Sequence, residues 1–420
     1  MEVTVSDDRR TILSVKNACA IGSEKFNLQR TEERVTLPRL RQPDGSYKEI
    51  SYDEAIDRTA RMLVKSRKTL MFGWINTSCQ AMSVGHAIAE KVGGIVDNGA
   101  TICHGPSLIA IEDVGITTCT LGEVKNRADC VVFWGCNPAH VHPRHMSRYS
   151  IFPRGFFTKE GAKGRKIICI DCRYTDTARS SDLFIRIEQG FDYEFMDALR
   201  TALNGGRLSG SIAGVPAEQI HKLAEDFKRA KFGIIFLGMG LAQSVGRNHN
   251  IDMAINLTYD LNRYTKFVVM PMRVQGNVTG SGEVLGWQYG FPFAVDLSRG
   301  DQARHQTGET TAIDLLVRDE VEACLFVAAD PAASFPIEAT IHAVKKPLIT
   351  IDPHINCTTE LSDLHIPVAV DGVETCGCVY RMDTIPLEMR KVVDPPAGVL
   401  TDIELLKRIE KRVDELQAGK

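Results

Sequence analysis

Residues 128–145 read ADCVVFWGCNPAHVHPRH. The apolar residues Cys130 to Trp134 run without a polar break and stop at Gly135. An uninterrupted run of that length marks a strand buried on both faces, as in parallel sheets covered by helices. The pattern returns in TLMFGWI (69–75), RKIICID (165–171), FGIIFLG (232–238), KFVVMPM (266–272), EACLFVAAD (322–330) and PLITID (347–352).

Stretches of helical periodicity lie between these runs. In SYDEAIDRTARMLVKS (51–66), Ser51 and Glu54 have capping-box spacing, and Ile56, Ala60 and Leu63 share a face. CQAMSVGHAIAEKVGG (79–94) is closed by Gly93 and Gly94. DYEFMDALRTALNGG (192–206), PAEQIHKLAEDFKRA (216–230), NIDMAINLTYDLNRY (250–264) and the tail TDIELLKRIEKRVDELQ (401–417) are also helical. Buried strands joined by crossover helices predict an α/β fold with parallel sheets.

Composition limits the function. The 420 residues are 44% apolar, enough for sizeable cores. Fifty basic residues against 53 acidic ones give a net charge of −3, which argues against nucleic acid as a partner. No run approaches the ~18 apolar residues of a membrane helix. The start, MEVTVSDDRR, has no apolar core of a secretory signal, so a cytoplasmic protein is expected. Twelve cysteines in such a chain point to thiols or metal ligands, not to disulfides.

The strand ends share a character. WGCNP, IDCR, LGMG, AADP and IDPH each put Gly, Asp or Asn just past an apolar run. Open parallel sheets bind ligands there, and several such ends together favour a large ligand. The LGMG turn at 237–240 offers backbone N–H groups to phosphate, and HPRH at 142–145 concentrates positive charge.

In DNGATICHGPS (97–107), Cys103 and His104 stand before a Gly-Pro break that begins a helix. A thiol at a helix N-terminus is a thiolate candidate and a soft metal ligand, and a histidine beside it can exchange a proton near neutral pH. Taken alone, the pair is also the pattern of an inert cysteine next to a loop-capping histidine. Cys169 and Cys172 straddle a strand end, and Cys376 and Cys378 are too close together, so no structural zinc site is expected.

Together these stretches resemble the catalytic subunit of the molybdenum/tungsten bis-pterin oxidoreductases. The resemblance is carried by residues 128–145, by IICIDCRYTDTARSSDLFIRIEQGFDYEFMDALRTAL, by FGIIFLGMGLAQSVGRNHNIDMAINLTYDLN and by PMRVQGNVTG. CHGPS, GEVKNRADC, HPRHMSRY and PMRVQGNVTG are most similar to the pterin-binding subunit of formylmethanofuran dehydrogenase. The likeness runs from about Asn17 to Lys391.

The resemblance implies the formate dehydrogenase/DMSO reductase type of α/β domains without the C-terminal β-barrel. It implies a domain at 1–50 with about 366–420, an α/β pterin-binding domain at 51–100 and 231–365, and a second at 101–230. It implies reversible two-electron reduction of CO2 to formate, the first step of methanogenesis from CO2 in archaea. Tungsten or molybdenum would be held by two molybdopterin guanine dinucleotides. Cys103 would bind the metal, His104 would lie beside it, and Arg273 would face the substrate. The cofactor cradle would comprise Gly135, Asn137, Pro138, His142, Arg144, Asp171, Arg173, Gly238, Met239, Gly240, Asn277 and Asp352.

In that family the pterin-binding subunit has a C-x-x-C-x-x-x-C run ahead of the position matched by Cys19, and this sequence begins after that run. Cys19 is therefore expected to ligate a [4Fe–4S] cluster only with upstream cysteines. Cys172 and Val274 depart from the superfamily's usual Pro and Gly. Implied partners are a β-barrel subunit capping the pterins, an amidohydrolase-like subunit that joins formate to methanofuran, and ferredoxin-like subunits. Two alternatives are a metal-free assembly subunit of a formyltransferase/hydrolase complex and a formate dehydrogenase catalytic subunit. Cys103, His104 and Arg273 together oppose the first; the missing β-barrel opposes the second.

Overall fold

Every apolar run quoted above is a strand in the computed structural model, which describes residues 1–27, 31–300 and 302–419. The quoted helical stretches are helices, including Tyr52–Lys65, Cys79–Val92, Asp192–Leu203, Ala217–Arg229, Asn248–Leu261 and Asp402–Ala418. Local chemistry explains their ends. Ser51 caps its helix by accepting the Glu54 N–H at 3.2 Å. The expected reciprocal bond from Glu54 gives way to a competitor, because its carboxylate accepts from Arg58 Nε at 2.9 Å. Gly93 ends Cys79–Val92 in the left-handed region, at φ 66°.

The chain divides into two compact units. The first comprises 1–102, 275–381 and 386–420. Its nine-stranded sheet has a parallel centre in the order Ile95–Asn98, Thr69–Gly73, Ala323–Val327, Leu348–Ile351 and Leu364–Ile366. Antiparallel strands extend both edges: Val295–Asp296 and Arg304–His305 on one side, Arg39–Arg41 and Tyr47–Glu49 on the other. The terminal helix Asp402–Ala418 covers this sheet with Tyr52–Lys65 and Cys79–Val92. Its Leu405, Leu406, Ile409 and Val413 are fully buried, each worth about 1.5–3 kcal/mol of transfer free energy.

The second unit comprises 103–274 and 382–385. Its sheet is wholly parallel, in the order Lys266–Pro271, Phe232–Leu237, Cys130–Trp134, Lys166–Asp171 and Leu183–Arg186. Phe133 and Phe236 stack across neighbouring strands at 5.5 Å between ring centroids.

This division corrects the three-domain expectation. Residues 231–274 belong with 103–230, because Phe232–Leu237 pairs in register with Cys130–Trp134. Residues 1–50, 366–381 and 386–420 join the first α/β unit and do not stand apart, while 382–385 join the second. An apolar run reports burial on both faces, but it does not say which of two parallel sheets the strand enters.

Each sheet has a point where strand order reverses. In the second unit it lies between Cys130–Trp134 and Phe232–Leu237; in the first, between Thr69–Gly73 and Ala323–Val327. Such points open a crevice at the carboxyl ends of the strands. In the second unit the two strand ends meet backbone to backbone. The Gly238 N–H donates to the Trp134 carbonyl and the Gly240 N–H to that of Gly135, both at 3.0 Å. A Cβ on Gly238 would lie 2.1 Å from the Gly135 carbonyl oxygen.

Gly238→Ala is therefore expected to force the strand ends apart and to cost about 1–3 kcal/mol. Scanning calorimetry should show a thermal midpoint lower by several degrees. An unchanged midpoint would mean the close approach is not needed.

Candidate active site

Cys103 stands two residues before the helix Gly105–Val114, with Pro106 in the helix's first turn. His104, at the N-cap position, makes no side-chain cap bond. Its ring is instead turned inward and only 1% exposed. Nε2 lies 2.9 Å from the Met272 carbonyl and Nδ1 lies 3.1 Å from Ser107 Oγ. A carbonyl only accepts, so Nε2 carries the proton and Nδ1 accepts from the Ser107 hydroxyl. This imidazole ties the start of the helix to the segment leaving the strand Lys266–Pro271.

Arg273 is thereby held beside Cys103. The His142 Nε2–H donates to the Arg273 carbonyl at 2.8 Å, so two histidines fix consecutive carbonyls, at 272 and 273. The Gln243 side-chain amide donates to the Cys103 carbonyl at 2.6 Å. Burial pushes the Cys103 thiol up, against the pull of the His104 N–H and the Arg273 charge. The expected thiolate lowered by the helix dipole is not what the environment yields: in the chain alone, desolvation outweighs both favourable terms. Burial, then the Arg273 charge, draw His104 down to about 4, so it is neutral at pH 7. With both nitrogens engaged, His104 is a structural bridge and not the near-neutral proton exchanger that its sequence position implied. Burial lowers His142 as well, and its Nδ1 has no hydrogen-bond partner among the described residues.

The crevice of the second unit holds a cavity of about 260 Å³, lined by Gly135, Asp171, Asp192, Met239, Gly240 and Ser244 among others. That is just below the roughly 300–1,000 Å³ of a complete small-molecule site, a size suited to one end of a larger ligand. Asp192 was not among the expected site residues. It is buried, accepts from the Trp134 indole at 2.9 Å and from Ser244 Oγ at 3.3 Å, and burial raises its carboxyl. Its signal in the sequence is an acid after a Gly-Phe turn at the start of the helix 192–203.

Several other cradle residues serve the protein itself. Asn137 Oδ1 accepts from the Thr177 hydroxyl at 2.6 Å, tying the turn after Trp134 to the turn after Asp171. Pro138 starts the short helix Pro138–Val141. Arg173 is exposed, and its backbone N–H donates to Asp171 Oδ1 at 3.1 Å. Arg144 is half-buried, and Met239 is 42% exposed beside the cavity.

Three expected residues lie in the first unit. Asn277 is buried and saturated: its Nδ2 donates to the Thr77 carbonyl at 2.8 Å and its Oδ1 accepts from the Tyr380 N–H at 2.9 Å. It clamps two protein segments, so its side chain is not offered to a cofactor. Asp352 follows Leu348–Ile351 and accepts from the His354 N–H at 2.9 Å. Cys19 precedes the helix Ala20–Asn27, and its Sγ accepts from the Gly22 N–H at 3.3 Å. Among the described residues, no three His, Cys, Asp or Glu side chains gather to hold a metal ion. At the first unit's reversal point the backbone is strained: Trp74 has φ 71° and Ala328 φ 50°. The Asn76 amide bonds the Ala328 carbonyl at 3.1 Å.

The molybdopterin oxidoreductase family model matches residues 34–412, and the chain belongs to that family. Within it, the chain falls in the formylmethanofuran dehydrogenase group. It is 48% identical to a subunit of the tungsten-containing formylmethanofuran dehydrogenase 2 of Methanocaldococcus jannaschii, over 99% of this chain and 95% of the relative. It is 43% identical to the like-named subunit in Methanococcus maripaludis, over 99% and 96%. Among solved structures, the formyltransferase/hydrolase complex of Methylorubrum extorquens with methylofuran matches with a TM-score of 0.73 at 20% identity, over 91% of this chain and 99% of that one. Acetylene hydratase from Pelobacter acetylenicus matches with a TM-score of 0.73 at 14% identity, over 98% and 67%. These two likenesses show the fold. No helix among the described residues is long and apolar enough to cross a membrane.

Asp352 yields a prediction about stability. Desolvation, ahead of repulsion from Asp330, pushes its carboxyl from 3.8 up to about 7. Between those values the folded chain binds the proton more tightly than the unfolded chain, so this residue's contribution to stability falls as pH rises from about 4 to about 7. Asp352→Asn should raise the thermal midpoint at pH 8 and leave it nearly unchanged near pH 4. An equal effect at both pH values would show that the site does not titrate in this way.

Proposed function

We propose that the chain is the redox subunit of a formylmethanofuran dehydrogenase, reducing CO2 reversibly to formate that a partner subunit condenses with methanofuran. The observation that carries this reading is the placement of Cys103 and Arg273 side by side through the His104–Met272 bond. The residues suit the group such chemistry needs. A bound tungsten or molybdenum with two pterin guanine dinucleotides supplies the two-electron step that no side chain can perform.

Cys103 would ligate the metal through sulfur. A coordinating thiol gives up its proton, so loading overrides the burial that keeps the free thiol protonated. Arg273 would face the carboxylate of formate. Its planar guanidinium offers two parallel N–H donors to two oxygens and steadies the negative charge that develops there. Neutral His104 adds no second charge, leaving Arg273 the dominant cation beside Cys103. His142 fixes the Arg273 carbonyl and so the origin of its side chain.

The crevice of the second unit suits a guanine. Asp171 and Asp192 would supply acceptors for the base's N–H groups, and exposed Gly240 lines the same crevice. The first unit has its own strand-order reversal, with Trp74, Asn76 and Ala328 at its mouth. One reversal per unit agrees with two dinucleotides. In this reading an amidohydrolase-like subunit, a β-barrel subunit and ferredoxin-like subunits complete the enzyme; Cys19 would ligate a [4Fe–4S] cluster only together with three further cysteines.

Cys103→Ala should abolish both metal retention and CO2 reduction; normal W or Mo content with a normal rate would refute the ligand role. Arg273→Lys should keep the metal but lower kcat by at least about 100-fold, because an ammonium cannot present the planar fork. His142→Ala should keep the metal, raise KM for formate, and speed amide exchange in residues 272–274. Unchanged exchange would remove its positioning role.

A further inference from the structure

Phenylalanines 152, 156 and 157 are 57%, 73% and 63% exposed on one short segment of the second unit. A mobile loop could leave apolar rings in water by default, but this loop is tightly built. Arg165 is only 5% exposed, and its guanidinium is devoted to the loop and to the helix beside it. It donates to the carbonyls of Ile151 at 2.9 Å, Pro153 at 2.7 Å, Lys125 at 2.7 Å and Ala128 at 3.0 Å, and to Thr158 Oγ1 at 2.8 Å. All five guanidinium N–H groups thus have an acceptor. Asn126 holds the tip, taking the Phe156 N–H on its side chain and the Phe157 N–H on its carbonyl, both at 2.9 Å. A Cβ on Gly155 would lie 2.1 Å from the Lys125 carbonyl, so the loop lies flat on the end of the helix Leu121–Arg127.

Phe156 and Phe157 meet edge to face at 4.8 Å, and the Arg127 guanidinium lies 5.2 Å from the Phe157 ring centroid. Fixed aromatics with an arginine beside them have the composition of binding hot spots, and their rigidity removes ordering cost on association. The surrounding clefts are basic: Arg127, Arg154, Lys159, Lys163, Lys231 and Lys266 line them. The acids there are Glu123, Asp129 and Glu160. Two of these are engaged with the backbone, Glu123 capping Thr120 and Asp129 accepting the Lys231 and Phe232 N–H groups. A face of this charge repels its own copy across a two-fold axis and attracts an acidic one.

We propose that the Phe152–Phe156–Phe157 face docks another subunit of the chain's complex, one that presents an apolar recess rimmed by carboxylates. The proposal rests on the reading of the chain as one subunit of a multisubunit enzyme. The test uses the intact complex, purified through a tag on this chain, with p-benzoylphenylalanine at position 156. Irradiation should cross-link a different subunit, at a segment rich in Asp and Glu. Phe156→Ser/Phe157→Ser should weaken retention of that subunit at least about tenfold, and more so as salt rises, with the chain's W or Mo content unchanged. Arg127→Glu, which leaves the loop's supports intact, should weaken the same subunit. Cross-links to a second copy of this chain, to lipid or to nothing would overturn the proposal, as would full retention in both variants. A metal-loaded complex without the cross-link would overturn the docking surface alone. The cross-link in a complex free of W and Mo would overturn the redox reading and leave the surface standing.

Discussion

The candidate site depends on one neutral imidazole. His104 accepts from Ser107 on one side and donates to the Met272 carbonyl on the other. That pair of bonds fastens the turn carrying Cys103 to the strand end carrying Arg273. The distance in sequence, from 104 to 272, makes the link a tertiary constraint that no local motif could supply. Its neutrality matters as well. Burial and the Arg273 charge both disfavour a protonated ring, so one guanidinium dominates the electrostatics at Cys103.

Around that link, the second unit separates rigid scaffold from ligand-facing surface. The strand ends after Trp134 and Leu237 are bonded directly to one another, with glycines where a methyl group would collide. Asn137 ties a third strand end into the same frame through Thr177. What remains open is a cleft with two carboxylates and exposed backbone, on the side of the sheet where parallel strands present their carboxyl ends. The first unit repeats the logic with different parts: left-handed Trp74 and Ala328 turn the chain at its own reversal point, and buried Asn277 holds neighbouring segments together.

Much of this was legible in the sequence, for physical reasons. Long apolar runs must be buried on both faces, so Cys130–Trp134 and its counterparts were recognisable as parallel strands. Gly93 and Pro106 mark a helix end and a helix start through backbone conformations that few other residues favour. Other features were hidden because they depend on partners far along the chain. Sheet membership of 232–271 is set by pairing partners, which a hydrophobic pattern does not encode. Asn277 matched a cofactor motif, yet both ends of its amide are used by Thr77 and Tyr380. Cys103 carried the local sign of a lowered thiol, but the desolvation that raises it comes from tertiary packing. Asp192 was overlooked because an acid in the first turn of a helix is ordinary, and only Trp134 and Ser244 reveal its burial.

The proposal's central claim is that Cys103, fixed beside Arg273, would ligate a heavy metal carried by two pterin dinucleotides. The most direct test is elemental and pterin analysis of the complex purified without exposure to oxygen. The account predicts near-stoichiometric tungsten or molybdenum per chain, with twice as much pterin guanine dinucleotide. A folded, intact complex containing neither metal and no pterin would contradict it.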